Sequence, residues 1–339
     1  MSPPPLEITL AGRPARLEAG ARTSLRVAEA YRDTSASSMR RVLDRIHGQE
    51  PWKEAVRAEF AETNRWLCDI VTHPSRTRFL DLHRPAPGAL VLDVGAGWGQ
   101  TTLPLASTNP VVALEPTPER LEFIEAAAGQ MGTRENIYFL EASMTETDFA
   151  PVFDYIACIG VLEWVAKFDR RGEPRTIHLE FLRRLRRSLT ARGRCCLGIE
   201  NRLGLKYLLG ARDDHTGLAG INVFDAQLAT SRHRSRTGEE LRVLTYSLAE
   251  YRTLFREAGF LQIEAYAAFP DYKLPELILP IDPAGPLNEH ILSASLPLEH
   301  DGVDGSCLPN QDELHSHYRS FAELGLAHVF APSFFFLLE

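Results

Sequence analysis

No pair of cysteines in this sequence stands at the CxxC spacing of a zinc or dithiol site. The five that exist, Cys68, Cys158, the adjacent Cys195 and Cys196, and Cys307, are odd in number and form no compact framework, so they read as reduced thiols. Long apolar runs are missing too: nothing approaches the ~18 consecutive apolar residues of a membrane span. Met1-Ser2-Pro3-Pro4-Pro5 lacks the basic and then apolar pattern of a secretory leader. A cytoplasmic chain with no membrane partner is expected. Cationic excess is also absent, since 37 Lys and Arg against 45 Asp and Glu leave a formal charge of −8. That balance argues against gripping nucleic acid through its phosphates and favours a small molecule as partner. Neither an internal repeat nor a low-complexity tract occurs. What is present is globular composition, 44% hydrophobic and 24% charged over 339 residues, enough for about two domains or one elaborated domain.

Residues 6–18 alternate around Ala11-Gly12, a pattern for a small β-hairpin. From Leu25 to Leu82 the period turns helical, with Met39, Val42, Leu43 and Ile46 on one stripe and Trp66, Leu67, Ile70 and Val71 on another. Pro85, Pro87 and Gly88 then close an N-terminal extension, residues 1–85. From residue 86 onward short apolar runs alternate with helical segments, the signature of parallel βαβ units. Strands are expected at 89–94, 111–115, 137–140, 153–159, 195–200 and 261–268, and in the apolar run 331–338. One helix should begin at Pro118 behind Thr117, and another at the capping box Ser247 to Glu250, with Gly259 as its stop. Two long segments, 201–246 and 271–330, are insertions. If both leave the carboxyl edge of the sheet, they form a cap where open α/β folds bind ligands.

The most informative stretch is Ala89-Leu90-Val91-Leu92-Asp93 followed by Gly95, Ala96, Gly97, Trp98 and Gly99. Three glycines at the exit of a buried strand let backbone amides approach a ligand closely. About twenty residues on, Val111-Val112-Ala113-Leu114 ends in Glu115, placed to accept from both hydroxyls of an adenosine ribose. The glycines follow G-x-G-x-G, and Gln100 stands where a dinucleotide fingerprint needs a small residue. Asp93 at the strand end suits a cationic amino group better than a pyrophosphate.

Asp93 to Gly99 resembles the first motif of the class I, Rossmann-like methyltransferases that use S-adenosylmethionine, and Glu115 matches the acid that ends their second strand. The resemblance covers about 86–270 plus the final strand. It implies an α/β fold: a seven-stranded, mostly parallel Rossmann-like sheet with helices on both faces, spanning 86–339. It implies S-adenosyl-L-methionine as cofactor, with Asp93 at the methionine end, the backbone of Gly95, Ala96, Gly97 and Gly99 facing it, and Glu115 and Pro116 by the ribose. Ser143 and Met144 after the third strand, and Ile159 and Gly160 after the fourth, complete that list. Two positions depart from the family. Ala142 occupies the slot of an adenine-binding Asp, and Trp164 follows Glu163 where many members carry a His, leaving a ring that packs on the cofactor or fills the core.

Methyl transfer from a sulfonium needs alignment, water exclusion and, for a hydroxyl acceptor, a base. The densest polar stretch is Glu200-Asn201-Arg202-Leu203-Gly204-Leu205-Lys206-Tyr207, continuing to Asp213-Asp214-His215-Thr216-Gly217. It is similar to methyltransferases encoded with surface-polysaccharide glycosyltransferases, which implies a sugar-like or other polyhydroxylated acceptor and O-methylation. Here His215 is the candidate base because its ordinary pKa lies near neutrality, Asp214 its orienting group, and Glu200 a further catalytic candidate. Asn201, Lys206, Tyr207 and Tyr272 are candidate acceptor contacts. A divalent metal is weighed and not assigned: Asp213, Asp214 and His215, or His315 and His317, offer ligands, but adjacent side chains rarely converge on one ion. Two other functions stay open, a nucleotide-dependent oxidoreductase and a non-catalytic binding module with the same fold.

Overall fold

In a computed structural model, the structure describes residues 3–25, 31–281, 285–298 and 311–339, and the chain divides into two compact units. Cys307 lies outside the described residues, while Cys68, Cys158, Cys195 and Cys196 are buried free thiols.

The first unit holds residues 1–161 and 181–196 together with Glu339. It begins with strands β1 (Leu6–Leu10), β2 (Arg13–Leu17) and β3 (Arg22–Ser24), then helices α1 (Ala36–His47), α2 (Trp52–Phe60) and α3 (Arg65–Thr72). The alternating unit follows: β4 (Val91–Val94), α4 (Thr102–Leu105), β5 (Val111–Leu114), α5 (Pro118–Met131), β6 (Ile137–Glu141), β7 (Thr147–Phe149) and β8 (Phe153–Ile159). β1 and β2 pair antiparallel from Leu6 opposite Leu17, and β1 also pairs with β7. Helix α1 forms because Ser35 caps it, accepting from the Ser38 amide, and because Met39, Val42, Leu43 and Ile46 fall on one buried stripe. β4, β5 and β6 are buried at every position and run parallel, so they read as continuous apolar runs instead of alternating ones. β8 lies parallel on the other side of β4.

Helix α6 (Leu162–Phe168) opens the second unit, and α7 (Pro174–Ser188) and β9 (Leu189–Glu200) contribute residues to both units. The second unit continues with α8 (Leu205–Leu208), α9 (Ala226–Thr237), α10 (Leu248–Glu257), β10 (Ile263–Phe269), β11 (Leu277–Pro280), α11 (Pro286–Ser293), α12 (Gln311–Glu323) and β12 (Ser333–Leu338). β10 pairs antiparallel with both β11 and β12. The capping box at Ser247 and Glu250 is formed in full at the start of α10.

The architecture is α/β with a large, mostly parallel sheet, as the alternating pattern implies, but among the described residues its strand count is nine and not seven. The two additions are short edge strands. β3 runs parallel to β6 with three polar residues, Arg22, Thr23 and Ser24, too few to show a two-residue period. β11 carries Leu277-Ile278-Leu279 inside what the sequence presents only as an insertion.

Candidate active site

In the first unit, β4 delivers Asp93 and the chain then turns through Gly95, Gly97 and Gly99, all at positive φ (65°, 56° and 75°). At Gly95 a Cβ would also come within 2.7 Å of the Val161 side chain, so this position needs glycine for both conformation and space. The amides of Gly95 and Ala96 bond the Leu114 carbonyl, which fastens the turn to the end of β5. Glu115, directly after β5, is buried; one oxygen accepts from the Gly97 amide at 2.8 Å and the other from the Thr117 amide at 2.9 Å. Arg120 lies 3.8 Å from Glu115 and 2.7 Å from Asp33, and Asp33 also accepts from the Trp98 indole. Asp93 is buried and accepts from the Thr102 hydroxyl at 2.6 Å; burial pushes its pKa up to about 6, against that hydrogen bond. Ser143 accepts from the Thr145 amide, Met144 and Ile159 are buried, and Gly160 has φ 71°. Asp33 and Arg120 carry no motif signal and are found only by the fold.

A second polar centre lies wholly in the second unit. α6 places Glu163, the end of β9 places Glu200, and an Asx turn places His215: Asp213 accepts from the amides of His215 and Thr216 while Gly217 takes φ 69°. The His215 ring is buried. Its Nε2 sits 3.7 Å from Glu200 Oε1 and 3.9 Å from Glu163 Oε1, and its Nδ1 sits 3.5 Å from Asp213 Oδ2. The Trp164 ring stands edge-on to it at 5.1 Å, so Trp164 packs on the histidine. Tyr272 reaches Oε1 of both glutamates, at 3.3 and 3.5 Å, and Lys273 donates to Glu200 Oε1 at 2.5 Å. Glu163 Oε2 and Glu200 Oε2 are buried without a hydrogen-bond partner. Ligand atoms from Glu163, Glu200 and His215 all lie within 4.8 Å of one another.

This geometry changes two sequence assignments. Asp213, not Asp214, adjoins His215; Asp214 is held by Lys206 at 2.9 Å and Lys273 at 3.3 Å. Burial raises the pKa of Asp214, but these two ammonium groups outweigh it and hold the carboxyl well below its usual range. Burial lowers the pKa of His215, yet the Glu200 charge and the bonds to Asp213 and Glu163 carry it up to about 10. Glu163 is the residue the sequence reading passed over, and burial raises its pKa.

Other candidates are placed differently. Asn201 is buried, donating to the Val329 and Ala331 carbonyls and accepting from the Leu203 amide, so its side chain braces a loop. Tyr207 is buried with Lys206 over its ring, and its hydroxyl has no hydrogen-bond partner. Asp213 also lines a cavity of about 310 Å³ with Asn222, Phe224, Leu241 and Tyr246. His315 of the other metal-ligand pair is bound to the Leu296 backbone.

Residues 91–192 match the profile of a methyltransferase domain. No curated protein matches the chain. Among solved structures it is similar to a Nostoc punctiforme protein proposed to be an O-methyltransferase, at 17% identity and TM-score 0.41 over 65% of this chain and 57% of that one. It is similar also to phosphoethanolamine N-methyltransferase 2 of Haemonchus contortus, solved with S-adenosyl-L-methionine, at 13% identity and TM-score 0.44 over 78% of this chain and 52% of that one. A SAM-dependent methyltransferase of Thermotoga maritima matches at 14% identity and TM-score 0.42 over 84% of this chain and 98% of that one. The chain thus spans just over half the length of the first two. Among the described residues no helix is long and apolar enough to cross a membrane. The segment similar to a methyltransferase domain, residues 91–192, contains the strand, glycine turn and second-strand acid described above.

Proposed function

We propose that the chain transfers a methyl group from S-adenosylmethionine to a hydroxyl of a small polyhydroxylated or sugar-like acceptor, in the cytoplasm. The cofactor supplies a methyl on a sulfonium. The residues of the first unit fit it: the glycine turn presents amides without side chains, Glu115 is fixed for a ribose by its two backbone bonds, and Asp93 sits at the strand end for an ammonium. Pro116, Ser143, Met144, Ile159 and Gly160 are assigned to the same ligand.

The acceptor reading rests on one observation, the concentration of Glu163, Glu200, Asp213 and His215 in a buried centre whose Asp213 also faces a cavity of ligand size. Carboxylates accept from hydroxyls, and a chain that must hold a polyol needs several. Residues 201–246 and 271–281 from the two insertions supply His215, Lys206, Tyr272 and Lys273 to it. The acceptor proton passes to a carboxylate of the centre.

Incubation of the full chain with S-adenosylmethionine and a panel of sugars, nucleotide sugars and amines, read by mass spectrometry of the methylated product, tests this. An O-methylated sugar is the expected product. Methylation of amines alone overturns the acceptor class, and no methylation of any panel member by a chain that binds cofactor overturns the sugar reading.

A further inference from the structure

The centre in the second unit has more structure than an acceptor-binding surface requires. Each potential ligand is held from behind. His215 has Asp213 at 3.5 Å on Nδ1 while Nε2 faces the two glutamates, the arrangement by which a carboxylate fixes the tautomer and aim of a metal-binding imidazole. Oε1 of Glu163 and of Glu200 are reached by the Tyr272 hydroxyl, and Glu200 Oε1 also takes the Lys273 ammonium. What is left over is one oxygen on each glutamate, Glu163 Oε2 and Glu200 Oε2, both buried and both unpartnered. A buried carboxylate oxygen with no donor has lost its hydration without replacement, so two in one centre call for an occupant.

Charge points the same way. Glu163, Glu200, Asp213, Asp214 and Asp271 gather around His215, Lys206 and Lys273, so five carboxyl groups stand against two ammonium groups and one imidazole. Lys206 is committed to Asp214, and Lys273 bridges Glu200, Asp214 and Asp271, so neither lysine supplies the missing donor to the Oε2 atoms.

We propose that Glu163, Glu200 and His215 form a binding site for one divalent transition-metal ion of the Mn²⁺ or Zn²⁺ kind. Two carboxylates and one imidazole suit these ions better than Mg²⁺ or Ca²⁺, which favour oxygen ligands alone. Three protein ligands leave coordination positions open, the condition for a metal that also binds water or a ligand hydroxyl. Asp213, Tyr272 and Lys273 are then positioning residues. The sequence did not lead to this set because its members stand at 163, 200 and 215 with no short spacing, whereas Asp213-Asp214-His215 is contiguous and drew attention to itself.

The test uses the full chain, stripped with chelator and titrated with MnCl2 in the absence of S-adenosylmethionine and any acceptor, so it reads the site independently of methyl transfer. Electron paramagnetic resonance should count one bound ion per chain, and its pulsed form should show modulation from a single coordinated ¹⁴N nucleus. Glu163→Gln and His215→Ala should each weaken binding at least ~10-fold, and His215→Ala should erase the nitrogen signal. Folded wild-type chain that binds no Mn²⁺ saturably, or binds it without nitrogen modulation, overturns the proposal, and so does binding unchanged in both variants. The nitrogen readout on wild type decides the matter even if a variant does not fold.

Discussion

In the first unit Glu115 has both oxygens fixed by backbone amides of its own neighbourhood, Gly97 and Thr117, whereas in the second unit Glu163 and Glu200 each keep one buried oxygen bare. The first arrangement is made of main chain: a strand end, a turn at positive φ and the next strand end, with Asp33 and Arg120 as the added charges. The second is made of side chains brought from α6, β9 and the loops after α8 and β10. Backbone geometry survives side-chain replacement, so the first centre should tolerate conservative change except at its glycines. A side-chain centre of mixed charge should be fragile, because removing one member leaves its partner buried and uncompensated.

Glu200→Ala should show the largest effect. It strips Lys273 of its shortest contact and should destabilise the chain by about 3 kcal/mol, measured by chemical denaturation. An effect under about 1 kcal/mol would mean that the second centre is solvated and the contrast between the two is wrong. Gly95→Ala comes next, at about 2 kcal/mol, because the new Cβ meets Val161 at a positive φ; loss of cofactor affinity should accompany it. Asp213→Asn should cost about 1–2 kcal/mol, since Asp213 holds the turn, Asn222 and His215 together. Asp214→Asn should cost less, its contacts being two ammonium groups near solvent. Equal effects would restore Asp214 as an equal partner of the centre.

The smallest effect concerns acid stability. His178 is buried against the Tyr246 hydroxyl, and burial lowers its pKa to about 3, so the folded chain keeps it neutral while the unfolded chain protonates it near its ordinary pKa of 6.5. The unfolded state binds the extra proton between those values. Stability is therefore fully present above pH 6.5 and is lost as pH falls toward 3. At pH 5.5 the loss from this residue alone is about 1 kcal/mol. His178→Gln, which can still bond Tyr246, should flatten the decline in melting temperature over this window, and an unchanged slope would remove His178 from the account.

The contrast also explains what could be read from the residues alone. Strands β1, β2, β4, β5, β6 and β8 of the first unit, the stripe of α1 and the glycine turn with Glu115 were legible because each is a local pattern, one period or one short motif. Asp33 and Arg120 were not, because their meeting depends on how the segment before α1 packs beside α5. In the second unit His215, Glu200 and Tyr272 were noticed as residue types in polar stretches, but the partner of His215 was misassigned. Adjacent residues in a turn face different ways, and Asp213 and Asp214 illustrate it: one bonds the turn and the imidazole, the other the two lysines. Glu163 sat within a recognised motif, and its place beside His215 emerged only once the fold set it near the end of β9. β3 and β11 were missed because short edge strands carry too few residues to establish a period.

The central claim, that the glycine turn and Glu115 hold S-adenosylmethionine, is tested most directly by calorimetric titration of the intact chain and its Glu115→Ala variant with S-adenosylhomocysteine. The account predicts saturable binding of one molecule per chain, weakened at least ~10-fold in the variant while its circular dichroism is retained. Folded wild-type chain that binds none, or a variant that binds as tightly as wild type, would contradict it.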